Sequence, residues 1–216
     1  MRSRAPARRA QRAPDEAVFL RQFHFPQKLS CNAPDDQKVR RRRKMQKTRP
    51  LIVISSRTGN TMILGHAIAD ALPGALLVKP SELPDDLTPF NPVLLGYWRD
   101  LEEAPADMRA IAPRFEGKTI GCFATMGSDV NDPDSQAWMK RTAEGLVAAG
   151  KNNTLAQTFI CRGRIDPAQF EKMTKLMGGV VSPERAEKRR ESETHPDRLD
   201  LAKGAEIFRS VFGVNF

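Results

Sequence analysis

The sequence predicts an open parallel α/β sheet of five strands with helices on both faces. Three observations predict it. Apolar runs of strand length recur along the chain, and they are continuous rather than alternating, as in strands buried on both sides. Segments with apolar residues three and four apart lie between them, which is the mark of a helix face. Strand and helix therefore alternate, and that order implies a parallel sheet covered on both faces with right-handed crossovers.

The elements follow in order. "PLIVIS" (Pro50–Ser55) is the first strand. Leu64, Ala67, Ile68, Ala71 and Leu72 mark the first helix, and Pro73-Gly74 ends it. "ALLVK" (75–79) is the second strand and "VLLGYW" (93–98) the third. "PSELPDDLTPFNP" between them is broken by prolines and supplies one helical turn at most. Pro105 suits the first turn of a helix through Met108 and Ile111. "TIGCFATMG" (119–127) is the fourth strand running into a loop. Asp132 and Pro133 can start a helix that buries Met139, Ala143, Leu146 and Val147 and stops at Gly150. "NTLAQTFIC" (153–161) is the fifth strand, and "DPAQFEKMTKLM" (166–177) a capped helix. Residues 178–195 are charged and read as a linker. "RLDLAKGAEIFRSVF" (198–212) is a last amphipathic helix, with Leu201, Phe208 and Phe212 on one side.

Charge is unevenly spread. The net charge of +9 arises in residues 1–49, which hold 15 Lys and Arg against 4 Asp and Glu. Residues 50–216 hold 20 against 22, so the body is nearly neutral. Residues 1–48 read as a basic, disordered extension, because "RSRAPARRAQRAP" and "VRRRRKMQKTR" have no apolar period to bury. Met45 looks like the natural start of the compact domain, with residues 1–44 dispensable. Nucleic acid is not the expected partner despite this arm. The three cysteines, Cys31, Cys122 and Cys161, show neither a disulfide framework nor metal-ligand spacing, so free thiols in a reducing cytoplasm are expected. No apolar run approaches the roughly 18 residues of a membrane span.

"ISSRTGNT" (Ile54–Thr61) concentrates four hydroxyls around Gly59 where the first strand turns into the first helix. In open parallel sheets ligands sit at that edge. The first N–H groups of a helix lack internal partners and carry partial positive charge, so an anion fits there. Gly59 permits close approach or a positive φ. Ser56, Thr58 and Thr61 can donate hydroxyls, and Asn60 its amide. Arg57 can screen a dianion or extend into water. The set suits a phosphate monoester. It has no P-loop lysine and no G-x-G-x-x-G, so ATP and NAD are poor candidates for this loop.

Ser56-Arg57-Thr58-Gly59-Asn60-Thr61 matches the flavodoxin phosphate-loop pattern [S/T]-x-T-G-x-T at every fixed position. With "GYW" after strand three, "ATMG" after strand four and the C-terminal "HPDRLDLAKGAEIF" helix, residues 49–216 resemble the flavodoxin family, in its subgroup with a G-[FY]-W loop. The resemblance implies strand order 2-1-3-4-5 and FMN at the switch point. It brings the loops after strands one, three and four together. Within Tyr97-Trp98-Arg99, an aromatic can stack on the isoalloxazine, and Trp98 is the favoured platform because neighbours on a strand point to opposite faces. Thr125, Met126 and Gly127 would present backbone N–H groups to the pyrimidine edge. Asp129 would accept from the cofactor or simply form a turn. Two departures from the family stand out: no glycine follows the aromatics in "YWRDLEE", and only Asp100, Glu102 and Glu103 form an acidic patch nearby.

The remaining reactive residues are few. His24, His66 and His195 read as solvated or simple hydrogen-bonding residues rather than catalytic ones, and Cys122 as core. Cys161, Arg162 and Arg164 lie near the site, where the arginines can meet an acidic partner or form a solvated edge. No catalytic residue or metal site is expected. The favoured reading is an electron-transfer protein that supplies reducing equivalents to a redox partner protein, reductase or acceptor. The alternative is an FMN-dependent reductase, or an accessory subunit of one, acting on a quinone or tetrapyrrole-type substrate, since relatives with this loop resemble accessory partners of bilin-reducing enzymes. A flavin-free interaction domain is disfavoured by the intact loop.

Overall fold

The computed structural model describes residues 48–213, so the expectations for the basic extension lie outside the described residues. Five strands form one parallel sheet: β1 (Arg49–Ile54), β2 (Leu76–Val78), β3 (Phe90–Trp98), β4 (Thr119–Met126) and β5 (Thr154–Arg162). Their order is β2-β1-β3-β4-β5, as the resemblance implied. The helices are α1 (Asn60–Asp70), α2 (Ala106–Ile111), α3 (Pro133–Ala149), α4 (Pro167–Leu176), α5 (Pro183–Ser192) and α6 (Arg198–Phe212). A short 3₁₀ turn, Pro80–Glu82, is the one turn expected between β2 and β3.

Alternation along the central strands divides the core in two. Leu51, Val53, Val93 and Leu95 face α2 and α3, where they meet Met108 and Trp138, together with Phe115 from the segment after α2. Ile52, Ile54, Leu94 and Phe123 face α1 and α6, where they meet Leu64, Ile68 and Phe208. On that second side Phe208 packs edge-on against Phe123, with ring centroids 5.9 Å apart, and stacks on Phe212 at 6.1 Å. Glycines let the layers close: a side chain at Gly65 would run into Ile54, and one at Gly204 into Leu64 at 2.7 Å. Cys122 is core, as expected, and burial pushes its thiol up to about 12.

Several elements depart from expectation. β3 begins at Phe90, three residues before the apolar run, and Asn91 accepts the Thr119 N–H at 2.9 Å there. Asp132 sits at the N-cap of α3 but its side chain makes no capping bond. Residues 178–195 are not a plain linker. They contain α5, which starts where the Ser182 hydroxyl accepts the Arg185 N–H at 3.3 Å and carries a Lys188–Glu184 pair one turn apart at 2.9 Å. A helix held by its cap and charge pairs has no apolar stripe to reveal it.

His195 is the hydrogen-bonding residue of its two expected readings: it is half-buried, with Nδ1 2.6 Å from the Asp200 carboxylate. It joins the capping box of α6, in which the Asp197 side chain accepts from the N–H groups of Leu199 and Asp200. The bond from Asp200 N–H, more than any other cause, holds Asp197 below the usual carboxylate range. His195, Asp197 and Asp200 lie close enough to share a metal, but their atoms are spent on the cap.

Candidate functional site

The parallel register brings the carboxyl ends of β1, β3, β4 and β5 level: Ile54 pairs with Gly96, Trp98 with Thr125, and Met126 with Arg162. The loops that follow these strands therefore open side by side. At the first of them Gly59 is the N-cap of α1 with φ 91°, in the left-handed region. A Cβ there would touch nothing within 4 Å, so the position requires glycine for its backbone and not for space. Among the described residues, no acceptor takes the N–H groups of Asn60 and Thr61. The Ser56 hydroxyl lies 3.4 Å from the Met62 N–H, a long contact that leaves it available to another partner.

The loop's hydroxyls divide into two roles. Ser55 and Thr61 turn inward. Ser55 donates toward both carboxylate oxygens of Asp107 at 2.9 Å, and Thr61 shares a buried hydrogen bond with Thr125 at 2.8 Å. They fix the loop to α2 and β4. Ser56 and Thr58 remain on the open side. Asn60 donates its amide to the Arg164 carbonyl at 2.9 Å and to Thr58 Oγ1 at 3.2 Å, which ties the loop to the segment after β5.

Two clefts open beside this loop and share Arg57, Trp98 and Asp100. The first, of about 270 Å³, runs from Thr58 between the loops after β3, β4 and β5 and ends at Gln169. The second, of about 470 Å³, runs from Ser56 toward Lys79 and Asp107. Trp98 is half-buried and borders both, with the Arg57 guanidinium 5.2 Å from its ring centroid. Gly127 lies in the first cleft against Ile165, where a Cβ would come within 2.6 Å of that side chain.

The thirteen expected site residues separate under this geometry. Arg57, Thr58, Asn60, Trp98, Arg99, Thr125, Met126 and Gly127 border the first cleft, and Ser56 the second. Tyr97 does not belong with them. It is fully buried on the opposite side of the sheet, edge-on to Trp138 at 5.8 Å, with its hydroxyl 3.1 Å from Thr142 Oγ1. Burial raises its phenol well above the ordinary value. Pleating placed its neighbour Trp98 at the cleft and Tyr97 in the core. Asp129 borders neither cleft and accepts the Asn131 N–H at 2.9 Å, so it is the turn-forming aspartate. Arg99 is spent structurally, donating to Asp134 at 2.9 Å and to the Leu101 carbonyl at 3.2 Å.

Sequence reasoning missed the wall built by Ile165, Asp166 and Gln169, and the Lys79–Ser81 side of the second cleft. Their signal was positional, since each follows a strand at the same sheet edge. Asp166 itself caps α4 by accepting the Gln169 N–H at 2.9 Å. Arg162 pairs with Glu191 at 3.3 Å rather than facing the cleft. Cys161 is buried, and desolvation first, then the charges of Asp200 and Asp197, raise its thiol. Among the described residues the first cleft holds no paired acid and base and no nucleophile aimed into it. It offers free amides, hydroxyls, a half-buried indole and close backbone.

Comparison with known proteins identifies the family. A flavodoxin domain family model matches residues 51–209. The chain is 28% identical over 174 residues to the flavodoxin-like domain-containing protein BilS of Clostridioides difficile (strain CD3), covering 74% of this chain and 94% of that one. Among solved structures, oxidised flavodoxin 2 from Bacillus cereus is 15% identical, covers 78% of this chain and 100% of its own, and has a TM-score of 0.49. A flavoprotein from Lactobacillus acidophilus NCFM in complex with FMN is 10% identical, with 52% and 93% covered and a TM-score of 0.40. The match over residues 51–209 covers the five strands and six helices but for the first residues of β1 and the last of α6, and this chain belongs to the flavodoxin domain family.

Proposed function

FMN is the cofactor of a flavodoxin domain, and we propose that this chain holds its phosphate in the Ser56–Thr61 loop and its isoalloxazine along Trp98 in the first cleft, and passes electrons to a redox partner protein. One observation carries the reading. The N–H groups of Asn60 and Thr61, free of acceptors among the described residues, stand beside left-handed Gly59 at the mouth of a cleft bordered by an indole. The residues fit the group. Ser56 and Thr58 offer hydroxyls to a dianion, Arg57 is close enough to balance its charge, and Gly127 borders the cleft with Ile165 packed against it.

When bound, the cofactor supplies the redox chemistry, and the protein supplies binding, orientation and dielectric. In this chain Trp98 shields one side of the cleft from water. Thr61 and Ser55 hold the phosphate loop against Thr125 and Asp107. Of the two carboxylates that border the first cleft, Asp166 is committed to the cap of α4 and Asp100 stands at the exposed rim.

The test is a fluorescence titration of FMN. Thr58→Ala and Ser56→Ala each remove a hydroxyl from a charged acceptor and should weaken binding by about 1.5–3 kcal/mol. FMN affinity that both variants leave at the wild-type value places the phosphate elsewhere. NADH or NADPH oxidation with quinone acceptors then separates carrier from reductase, because only the second turns over without another protein.

A further inference from the structure

The segment after β5 carries a feature the cofactor does not use. Among the described residues, five of the nine exposed large apolar side chains fall between residues 173 and 181: Met173, Leu176, Met177, Val180 and Val181, of which Leu176 is 73% and Val180 76% exposed. They cap a helical hairpin made of α4 and α5, turned at Gly178-Gly179 with both φ positive. Each helix buries a single residue, Thr174 in α4 and Ser192 in α5. Apolar patches of this kind on a polar surface mark interaction sites.

The charge around the tip has one dominant sign. Residues 162–192 hold eight Lys and Arg against five Asp and Glu, whereas the remainder of 50–216 holds twelve against seventeen. Among the described residues Lys172, Lys175, Arg185 and Arg189 are in no ion pair. Arg185 and Arg189 instead lie over Phe170, each 5.2 Å from its centroid. The patch is also continuous with the cofactor cleft. An apolar groove of about 440 Å³ starts at Gly127, Ile165 and Gln169, which border that cleft, and continues along Phe170 and Met173 to Arg185 and Lys188.

We propose that the α4–α5 hairpin is the docking surface for a redox partner protein that presents an apolar centre with an acidic rim. The proposal rests on the electron-carrier reading and names the partner chemistry it requires. A second copy of this chain would set like charges of Lys172 and Lys175 against each other. A lipid surface would gain nothing from the groove that leads to the cofactor. An acidic protein satisfies the free cations, covers Leu176 to Val181 and reaches the cleft in one contact. Electrostatic complementarity of this kind acts chiefly on the association rate and falls with salt.

The probe is succinylated cytochrome c, an acidic protein, with native basic cytochrome c as its opposite. The ¹⁵N-labelled full chain is titrated with each at low ionic strength. The acidic probe should shift amides of residues 164–192, and these shifts should disappear in Lys172→Glu/Lys175→Glu but persist in Lys140→Glu/Lys203→Glu, which carries the same charge change elsewhere. After anaerobic reduction with dithionite, the holoprotein should pass one electron to each succinylated ferricytochrome c, two per fully reduced FMN. The second-order rate should fall about fivefold or more in the hairpin variant and remain unchanged in the control. Shifts centred on Asp100–Glu103, or an unaltered footprint in the hairpin variant, overturn the proposal. So do self-association abolished by Leu176→Ser, or hairpin-dependent sedimentation with phosphatidylglycerol vesicles. The amide footprint needs no flavin, so a chain that fails to bind FMN and still binds the probe through the hairpin separates the two failures.

Discussion

The helix pair α1 and α6 and the helix pair α4 and α5 are built from the same chain on opposite terms. α1 buries Thr61, Leu64, Gly65 and Ile68, and α6 buries Gly204, Phe208 and Phe212, with Gly204 admitting Leu64 between the backbones. α4 and α5 bury one small polar side chain each. The first pair is held by the hydrophobic effect and close packing. The second is held by Ser182 and Asp166 caps, ion pairs and arginines over Phe170. The contrast locates stability in the sheet with its covering helices. It leaves the hairpin surface available for contact.

The largest expected effect breaks the packed pair. Phe208 is fully buried and joins Phe123 and Phe212 in one aromatic cluster. Phe208→Ala should cost about 3–5 kcal/mol, since the rings around it cannot collapse into the space. Urea unfolding followed by circular dichroism measures it. A loss below about 1 kcal/mol would mean that α6 is not integral to the core.

A chemical probe sharpens the same contrast. Only the thiolate is alkylated. Burial raises Cys161 above its ordinary value, so at pH 8 its thiol is neutral as well as covered. Raising the pH toward the ordinary thiol range should not release it while the fold persists. In the native protein, iodoacetamide should modify Cys161 about a hundredfold or more slowly than a cysteine placed on the hairpin by Met173→Cys, and denaturant should equalise them. Peptide mass mapping reads both sites in one sample. Equal native rates would show β5 opening as readily as the surface.

This division also explains what the sequence made legible. β1, β3 and β4 are buried on both faces, so their apolar runs stood out without any partner information. α1 and α6 advertised themselves through three- and four-residue spacing. The turn at Ser56–Thr61 was readable because its demand is local: Gly59 at φ 91° and hydroxyls within a few positions. Tyr97 and Trp98 could not both be placed, because pleat direction depends on which face the helices cover. The wall from Ile165 to Gln169 was invisible since it forms only when β5 aligns with β4. α5 escaped because charge pairs and a cap leave no periodic signature, and its residues read as solvated chain.

The smallest effect is the one that most directly separates surface from core. Leu176 is 73% exposed and Val180 76%, so folding removes little of their area from water. Replacing either side chain by serine neither opens a cavity nor strands a buried polar group, the two mechanisms that produce large losses. Leu176→Ser and Val180→Ser should each change unfolding free energy by no more than about 0.5 kcal/mol. Their denaturant midpoints should overlay that of the parent within error. Apolar residues of comparable size in α1, such as Leu64 and Ile68, are wholly buried and face the sheet. Truncating one of those to alanine should cost about 2–5 kcal/mol. If the hairpin variants lost stability on that scale, the tip would be packed against the domain, and an exposed surface there could not serve a partner.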